Sequence, residues 1–363
     1  MESSTYSGGN YTWTPELTTS VDVITSSIVN DNDTTGEVWL PNYWFGFIEK
    51  PTSQQVTLFG SWLRLIGLPP ILLLGVFGNV LAIAVMLRPA MRRHSYSYYL
   101  VMCAICDTVS LVVRLLFWIN LLREFRDLPV LVRFQDVVAC VVSEYLITAN
   151  TVISSWAIVC ITVERVIVVL FPLTGTNVCK PAVARKVVTC VALGTFILLC
   201  YIPPFTQYLP AVGCAMRLSN IMVHFIIATI FVSMLPLILI LVGNVCIIIQ
   251  LQRQKTSISA IGNRTRTSNR VTTMMLTVSL TFFVLVMPNA LLVLVSVLQP
   301  TWATLDVLKD PAAFLWDINF AINFYLYIVT AGNVRSELVM MFSRGRRTAA
   351  QSRTLTTISS TVG

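Results

Sequence analysis

Seven runs of apolar residues, each long enough to cross a lipid bilayer as a helix, dominate this sequence. A hydrocarbon core of roughly 30 Å requires about 20 residues of helix. Helices can cross lipid singly, because each backbone N–H finds its partner within the segment. The sequence therefore predicts an all-α membrane protein, a bundle of seven transmembrane helices. The runs cover about residues 62–87, 96–122, 138–171, 183–206, 220–251, 271–298 and 312–332.

The scarcity of charge supports the same conclusion. Only 12% of the residues are charged and the mean hydropathy is +0.75, whereas soluble domains are about one quarter charged. The connections between the runs are short, so no second soluble domain fits between them. We expect an N-terminal segment at residues 1–60, a membrane domain at 61–343 and a polar tail at 344–363.

The distribution of basic residues predicts the orientation in the membrane. Cytoplasmic loops of membrane proteins carry an excess of Lys and Arg. If the N-terminus is outside, most of the 25 Lys and Arg residues face the cytoplasm. We therefore expect a multi-pass plasma-membrane protein with an extracellular N-terminus and a cytoplasmic C-terminus. The basic residues on the predicted cytoplasmic side are Arg88, Arg92, Arg93, Arg165, Lys180, Arg185, Lys186, Arg253, Lys255, Arg264, Arg266, Arg270, Arg335, Arg344, Arg346, Arg347 and Arg353.

The N-terminal segment has the composition of an exposed, unstructured chain. It is rich in Ser, Thr, Asn and Gly and holds two N-glycosylation sequons, at Asn10 and Asn32. Such sequons are modified only on the lumenal or extracellular side. We expect residues 1–60 to be disordered and glycosylated.

Two of the nine cysteines are expected at the oxidising face of the membrane. Cys140 begins the third run, and Cys214 lies between the fourth and fifth. The others fall inside the runs or in a reducing cytoplasmic loop. A Cys140–Cys214 disulfide would hold that loop over the mouth of the bundle, and the alternative is two free thiols.

Short motifs in these runs carry a family resemblance. Arg165 lies 25 residues after Cys140. In their order and spacing the motifs resemble those of rhodopsin-like (class A) G-protein-coupled receptors, and the resemblance covers about residues 62–343. The motif residues are Gly78-Asn79-Val80, Asp107, Glu164-Arg165-Val166, Pro236, Phe282, Pro288 and Asn323-Phe324-Tyr325-Leu326-Tyr327.

The resemblance implies a receptor that activates a heterotrimeric G protein when the sixth helix moves outward. Arg165, held by Glu164 at rest, would then meet the G protein. The residues assigned in this way to coupling and activation are Glu164, Arg165, Pro236, Phe282, Pro288, Asn323 and Tyr327. The chain departs from the family pattern at several positions, and these departures suggest a looser resting state. They are Val166, Asn244, Ser268 and Phe324.

An aspartate within the second run is a candidate functional group, because a charge at the bilayer centre is costly unless it is partnered. By the resemblance, Asp107 shares a pocket with Ser154, Asn319 and Asn323. In the family this pocket holds an allosteric Na+, and the alternative is a water-filled hydrogen-bond network. The tryptophan that usually covers the pocket is Val286 here.

Charged and polar residues near the outer ends of the runs are candidates for ligand binding. Charges at this depth must pair with each other or with a ligand. An internal bridge from Arg114 to Asp317 or to Glu144 is the alternative, and a polar ligand could compete for it. The candidates are Arg114, Glu144, His224, Asn289 and Asp317.

The resemblance also limits the chemical classes of ligand that the receptor is expected to bind. Asp317 stands where opsins carry the retinal lysine, and Ile147 where amine receptors carry their aspartate. A mixed-charge mouth, an acidic N-terminal segment and basic outer-loop residues suit a peptide. Residues 162–173 are most similar to invertebrate neuropeptide receptors of the FMRFamide type. The basic outer-loop residues are Arg123, Arg126 and Arg133.

The remaining expectations concern the cytoplasmic side and the rival functions. Residues 334–343 predict a short amphipathic eighth helix, and the Ser/Thr-rich tail, if phosphorylated, suits arrestin. Nothing in the sequence indicates an enzyme, a nucleic-acid partner or a cofactor other than the possible Na+. The rivals are a chemosensory receptor of the same fold and a seven-helix transporter.

Overall fold

A bundle of seven long helices forms the core of the protein. The computed structural model describes residues 29–30, 38–41, 63–125, 137–209, 213–217, 223–224, 226–257, 263–298 and 306–343. In this part, seven helices are long and apolar enough to span a membrane, which confirms the predicted fold class. They are TM1 (Leu68–Met86), TM2 (Tyr96–Phe125), TM3 (Val137–Leu170), TM4 (Pro181–Leu198), TM5 (Leu235–Ser257), TM6 (Asn263–Leu298) and TM7 (Asp306–Thr330).

Each predicted apolar run corresponds to one of these helices. The α-helices begin or end several residues from the predicted bounds: TM5 begins at Leu235, after the π-helical segment Ala228–Met234, and TM7 begins at Asp306 rather than near residue 312. Lys309, Asp310 and Pro311 interrupt the apolar pattern there, but they lie within the helix. Hydropathy marks where a helix enters lipid, and the helical backbone continues beyond that point into water.

Three shorter helices flank the membrane spans. Pro172–Val178 lies between TM3 and TM4, and the single turn Ile202–Phe205 follows TM4. Residues 332–343 are helical after TM7, which agrees with the predicted eighth helix. Its apolar side chains Val339 and Phe342 are exposed, as expected for a helix that lies at the membrane interface.

A small antiparallel sheet lies outside the bundle and was not predicted. It consists of β1 (Val29–Asn30), β2 (Val38–Pro41), β3 (Thr206–Leu209) and β4 (Gly213–Arg217), in the order β1-β2-β4-β3. Strands β1 and β2 belong to the N-terminal segment, for which we expected no structure. The sheet escaped prediction because its strands are short and β2 pairs with β4, far away in sequence.

TM3 occupies the centre of the bundle and TM4 its periphery. In the most apolar window of each span, 67% of TM3 residues are buried but only 17% of TM4 residues. TM1, TM2 and TM7 meet closely at Gly75, where an added Cβ would lie 2.6 Å from Leu111 Cδ1 and 2.7 Å from Ala321 Cβ. Small residues at such contacts let helix backbones approach each other in lipid.

TM5 is preceded by a π-helical segment, Ala228–Met234, that leaves one carbonyl in need of a donor. The Leu235 N–H bonds to the Ile230 carbonyl in the π-helical register. In that register the next carbonyl, of Phe231, would accept from residue 236, which is a proline without an N–H. The Trp156 indole of TM3 supplies the missing donor, at 2.9 Å between Nε1 and the Phe231 oxygen.

We predict that Trp156→Phe destabilises the protein by about 1–3 kcal/mol, because it leaves the Phe231 carbonyl unsatisfied away from water. Thermal unfolding of the purified chain in detergent measures the effect. Tyr145→Phe is the matched control. It removes a hydroxyl bond to the Phe196 carbonyl, but at an exposed position, and should lower the melting temperature less. Equal losses in the two variants would contradict this account of the π-helical segment.

Candidate functional site

The predicted polar pocket assembles around Asp107 in the middle of TM2. Asp107 is fully buried. Ser154 Oγ donates to its Oδ1 at 2.7 Å, and Asn323 Nδ2 donates to its Oδ2 at 2.8 Å. Asn319 is buried one helical turn before Asn323. The two hydrogen bonds to Asp107 therefore join TM2, TM3 and TM7, and the function of this cluster stays a prediction.

The chemistry of this pocket is compatible with a monovalent cation. The two hydrogen bonds to Asp107 come from neutral donors, and no cationic side chain in the described residues forms an ion pair with it. Carboxylate, hydroxyl and amide oxygens are suitable ligands for Na+. A buried carboxylate without a positive partner favours binding of a cation or uptake of a proton.

A second network ties TM1 to TM7 beside this pocket. Asn79 Nδ2 of TM1 donates to the Phe320 carbonyl of TM7 at 3.0 Å. The Tyr327 phenol, from the predicted activation motif, is buried further along TM7, and no partner for its hydroxyl is found in the described residues. Phe324, which replaces the family's proline, is buried. TM7 is thus held by hydrogen bonds from TM1 and to TM2, whereas Tyr327 is packed but not hydrogen-bonded.

The ligand candidates lie toward the end of the bundle where TM2 ends and TM7 begins, and two of them form an ion pair. Arg114 Nη1 is 2.7 Å from Asp317 Oδ1, and both residues are buried. The guanidinium lies 5.4 Å from the centre of the Phe320 ring. The structure therefore contains the internal bridge that was the alternative to direct ligand contact. It links TM2 to TM7.

The remaining ligand candidates lie on three other helical segments. His224 is fully buried before the π-helical segment, and its Nδ1 shares a 2.9 Å hydrogen bond with the Tyr201 hydroxyl. Glu144 is buried on TM3, and Asn289 is half-buried on TM6. Tyr201 was not among the predicted site residues, because nothing in its apolar neighbourhood marks it as a partner of a residue in another segment.

Cys140 and the loop between TM4 and TM5 close the outer end of TM3. Cys140 is buried and disulfide-bonded. Seven cysteines are free, and the predicted partner Cys214 is not among them. Cys214 lies on β4 opposite Tyr208 of β3, and both strands pack against TM3. This placement is consistent with the Cys140–Cys214 pair, which stays a prediction.

Glu164 and Arg165 are held together near the C-terminal end of TM3. Arg165 Nη2 lies 3.7 Å from Glu164 Oε1, and both residues are buried. The Ser95 hydroxyl also donates to the Glu164 carboxylate. The Arg165 guanidinium lies 5.6 Å from the centre of the Tyr96 ring. The contacts with Ser95 and Tyr96 could not be inferred from sequence, because Ser95, in the turn before TM2, and Tyr96, at the start of TM2, are far in sequence from Glu164 and Arg165 on TM3.

Two side chains in the loops beside this cluster, His94 and Cys179, have shifted pKa values. Burial, together with the positive charges of Arg165 and Arg93, lowers the pKa of His94 below its ordinary value. Burial raises the pKa of the Cys179 thiol to about 11. The imidazole is therefore neutral and the thiol protonated at pH 7. Cys179 is free.

The other predicted activation residues lie within the spans. Phe282 is buried in the core, as is Val286 at the position of the family's tryptophan. Pro288 lies inside TM6 and Pro236 inside TM5. Asn244, where the family has tyrosine, accepts a 2.8 Å hydrogen bond from Ser279 of TM6. This bond links TM5 to TM6.

Several predicted features fall outside the described residues or side chains. The two sequons and the phosphorylatable tail belong to this group, as do the basic residues of the first outer loop and the residue that replaces the family's TM6 acid. They stay predictions. The residues concerned are Asn10, Asn32, Arg123, Arg126, Arg133, Ser268 and 344–363.

Comparisons with known proteins agree with this geometry. Residues 78–355 match the family model described as 7 transmembrane receptor (rhodopsin family). A Caenorhabditis elegans protein described as a candidate G-protein coupled receptor, F59B2.13, is 25% identical over 81% of this chain and 77% of its own length. Melanin-concentrating hormone receptor 1 of Rattus norvegicus and of Homo sapiens is 28% identical over 52% of this chain and 55% of its own length. These relatives are receptors, which confirms the prediction that the chain is not an enzyme.

We predict that Asp317→Asn destabilises the protein by about 3–5 kcal/mol, because it leaves the Arg114 guanidinium buried without its counter-ion. Removing both charges, with Arg114→Gln and Asp317→Asn together, should cost less than the sum of the single changes. Thermal unfolding of the four species gives this coupling. Glu337→Gln is the control, since its pair with Arg88 is more exposed and should contribute less. Additive losses would contradict a direct ion pair.

We also predict that NaCl, compared with KCl at equal ionic strength, raises the melting temperature of the purified protein. The expected cause is Na+ bound at the Asp107 carboxylate. The increase should disappear in Asp107→Asn, which keeps the size of the side chain and removes its charge. Equal melting temperatures of the parent protein in the two salts would instead favour the water-filled network.

Proposed function

Because the chain belongs to the rhodopsin family of seven-transmembrane receptors, we propose that it is a plasma-membrane receptor for an extracellular neuropeptide. Membership of this family implies a ligand-binding receptor that couples to G proteins. The proposal adds a peptide ligand, an extracellular N-terminus, a cytoplasmic C-terminus and arrestin as a regulator. The family match weighs against the transporter hypothesis.

The Glu164–Arg165 pair at the cytoplasmic end of TM3 is the observation that carries the coupling proposal. Arg165 is buried and restrained by the Glu164 carboxylate and the Tyr96 ring. In this position it is withdrawn from the cytoplasm. A change that separates TM2 from TM3 at this end would remove the Tyr96 ring from Arg165 and the Ser95 hydroxyl from Glu164, which would weaken the restraint on the guanidinium and let it turn toward a G protein.

A continuous series of contacts connects the ligand candidates with this pair. Arg114 contacts both Asp317 and the ring of Phe320 on TM7. TM7 is joined through Asn323 to Asp107. Asp107 in turn accepts a hydrogen bond from Ser154 of TM3, the helix that carries Glu164 and Arg165 in its last two turns. A ligand that shifts TM7 at the mouth therefore has a physical route to the cytoplasmic end.

The route explains how binding could change coupling only if the ligand prefers one arrangement over the other. A ligand that competes for Arg114 or Asp317 would do so, because it is most stable where that bridge is open. By the same differential affinity, a bound G protein would raise the affinity of the receptor for the ligand. Both effects are equilibrium shifts between the same two states.

The peptide assignment rests on the mouth and on sequence similarity. Two acids, Glu144 and Asp317, and one base, Arg114, are buried there, which suits a ligand with several polar groups better than a small apolar one. Two of the relatives are named as receptors for melanin-concentrating hormone. Residues 162–173 add the similarity to FMRFamide-type receptors, which supports an amidated neuropeptide.

We predict that cells expressing the chain dissociate a heterotrimeric G protein when challenged with one member of a library of amidated neuropeptides. Arg165→Ala should abolish the response at equal surface expression. Glu164→Gln should raise basal signalling, because it weakens the restraint on Arg165. An epitope at the N-terminus, stained on intact cells, measures surface expression and tests the orientation. A full response from Arg165→Ala would contradict the proposed role of that residue.

A further inference from the structure

Two buried polar side chains face each other between TM5 and TM6. Asn244 of TM5 and Ser279 of TM6 are both buried, and the Ser279 hydroxyl donates to Asn244 Oδ1 at 2.8 Å. The apolar spans of these helices are Thr229–Arg253 and Val271–Val295. Each residue lies in the half of its span that is nearer to the loop joining the two helices. The signalling route proposed above uses neither residue.

TM5 is fastened to the central helix TM3 at this level. At Gly243, next to Asn244, an added Cβ would lie 2.5 Å from Thr162 Cγ2 of TM3. The absence of a side chain therefore lets the two helices approach closely. The hydrogen bond from the Trp156 indole to the Phe231 carbonyl connects TM3 to the segment before TM5. A contact from TM5 to TM6 thus also holds TM6 to the centre of the bundle.

No ion pair that the described residues form joins TM6 to TM3. Arg165 pairs with Glu164 on its own helix, and Ser268 stands where the family has an acid on TM6. The buried apolar side chains of TM6 pack into the core, but apolar burial is not directional. The bond between Asn244 and Ser279 is directional, so it requires one particular arrangement of TM5 and TM6.

The hydroxyl of Ser279 has a second acceptor, which makes this bond easy to open. Ser279 Oγ lies 3.1 Å from the Leu276 carbonyl, one turn earlier on TM6. A hydroxyl has one hydrogen and can rotate between two acceptors. If TM6 moves away from TM5, Ser279 therefore keeps a partner within its own helix. No partner for Asn244 Nδ2 is found in the described residues, so the bond to Ser279 orients the amide only while TM6 is close.

We infer that Asn244 and Ser279 are positioning residues that hold TM6 against TM5 at rest, and that their hydrogen bond opens when TM6 moves outward. The inference rests on the proposed receptor function. Asn244 and Ser268 are both departures from the family pattern, and both suggested a looser resting state. In this account Asn244 instead restrains TM6, where Ser268 cannot. One hydrogen bond between membrane helices shifts such an equilibrium by about threefold on average.

The first measurement is basal G-protein dissociation in cells that express each variant at equal surface level. Ser279→Ala and Asn244→Leu should each raise it about threefold. The double variant should rise no further than either single variant, because all three lack the same bond. Ser279→Thr keeps the hydroxyl and should stay near the parent. The matched control is Thr277→Ala, which removes a TM6 hydroxyl that bonds to the Thr273 carbonyl of the same helix and should leave basal signalling unchanged.

The second measurement is hydrogen–deuterium exchange of the purified full chain, without ligand or G protein. The backbone amides of residues 271–286 in TM6 should exchange severalfold faster in Ser279→Ala than in the parent or in Thr277→Ala. This readout does not depend on coupling. Faster exchange in Ser279→Ala, with no signalling from any variant or the parent, would support the restraint and count against the proposed function. Equal exchange in Ser279→Ala and Thr277→Ala, or additive increases in basal signalling, would overturn the inference.

Discussion

A polar group that enters the hydrocarbon layer has to find its partner inside the protein, and this constraint organises the whole bundle. Water is absent there, so an unsatisfied carbonyl or charge costs several kcal/mol. The Trp156 indole satisfies the carbonyl that Pro236 leaves open. Asn323 and Ser154 do the same for Asp107. Each of these contacts joins two different helical segments. Polar groups that would destabilise the fold if left unsatisfied therefore also help to determine which helices pack together.

The same constraint explains how a receptor of this kind can have two states. A buried ion pair adds little net stability compared with apolar packing, but breaking it while its members stay buried is costly. The Arg114–Asp317 and Glu164–Arg165 pairs lie at opposite ends of the bundle, the first joining TM2 to TM7 and the second on TM3. A ligand outside and a G protein inside would act as replacement partners and so would lower the free-energy cost of opening the two pairs.

Most of the fold was accessible from sequence because lipid imposes a simple length rule on apolar runs. The seven spans and the eighth helix followed from the pattern of apolar residues, whereas the convergence of Asp107, Ser154 and Asn323 was expected from the resemblance to the receptor family. Contacts made by ordinary residues were not accessible. Ser95, Tyr96 and Tyr201 have no sequence signature, because their roles depend on which residue of another helix they face. The sheet was missed for the same reason, since the backbone pairing of β2 with β4 is a long-range event.

That pairing has a consequence for how the chain is made. Strand β2 is synthesised before TM1, and its partner β4 follows TM4, so four membrane crossings separate them. During synthesis β2 therefore cannot pair with β4 until all four of these spans have been made. The sequon at Asn32 falls between β1 and β2 in the sequence, so its predicted glycosylation would precede closure of the sheet. Closure of the sheet is therefore a late event in biogenesis, and a segment that is first in the sequence is among the last to fold.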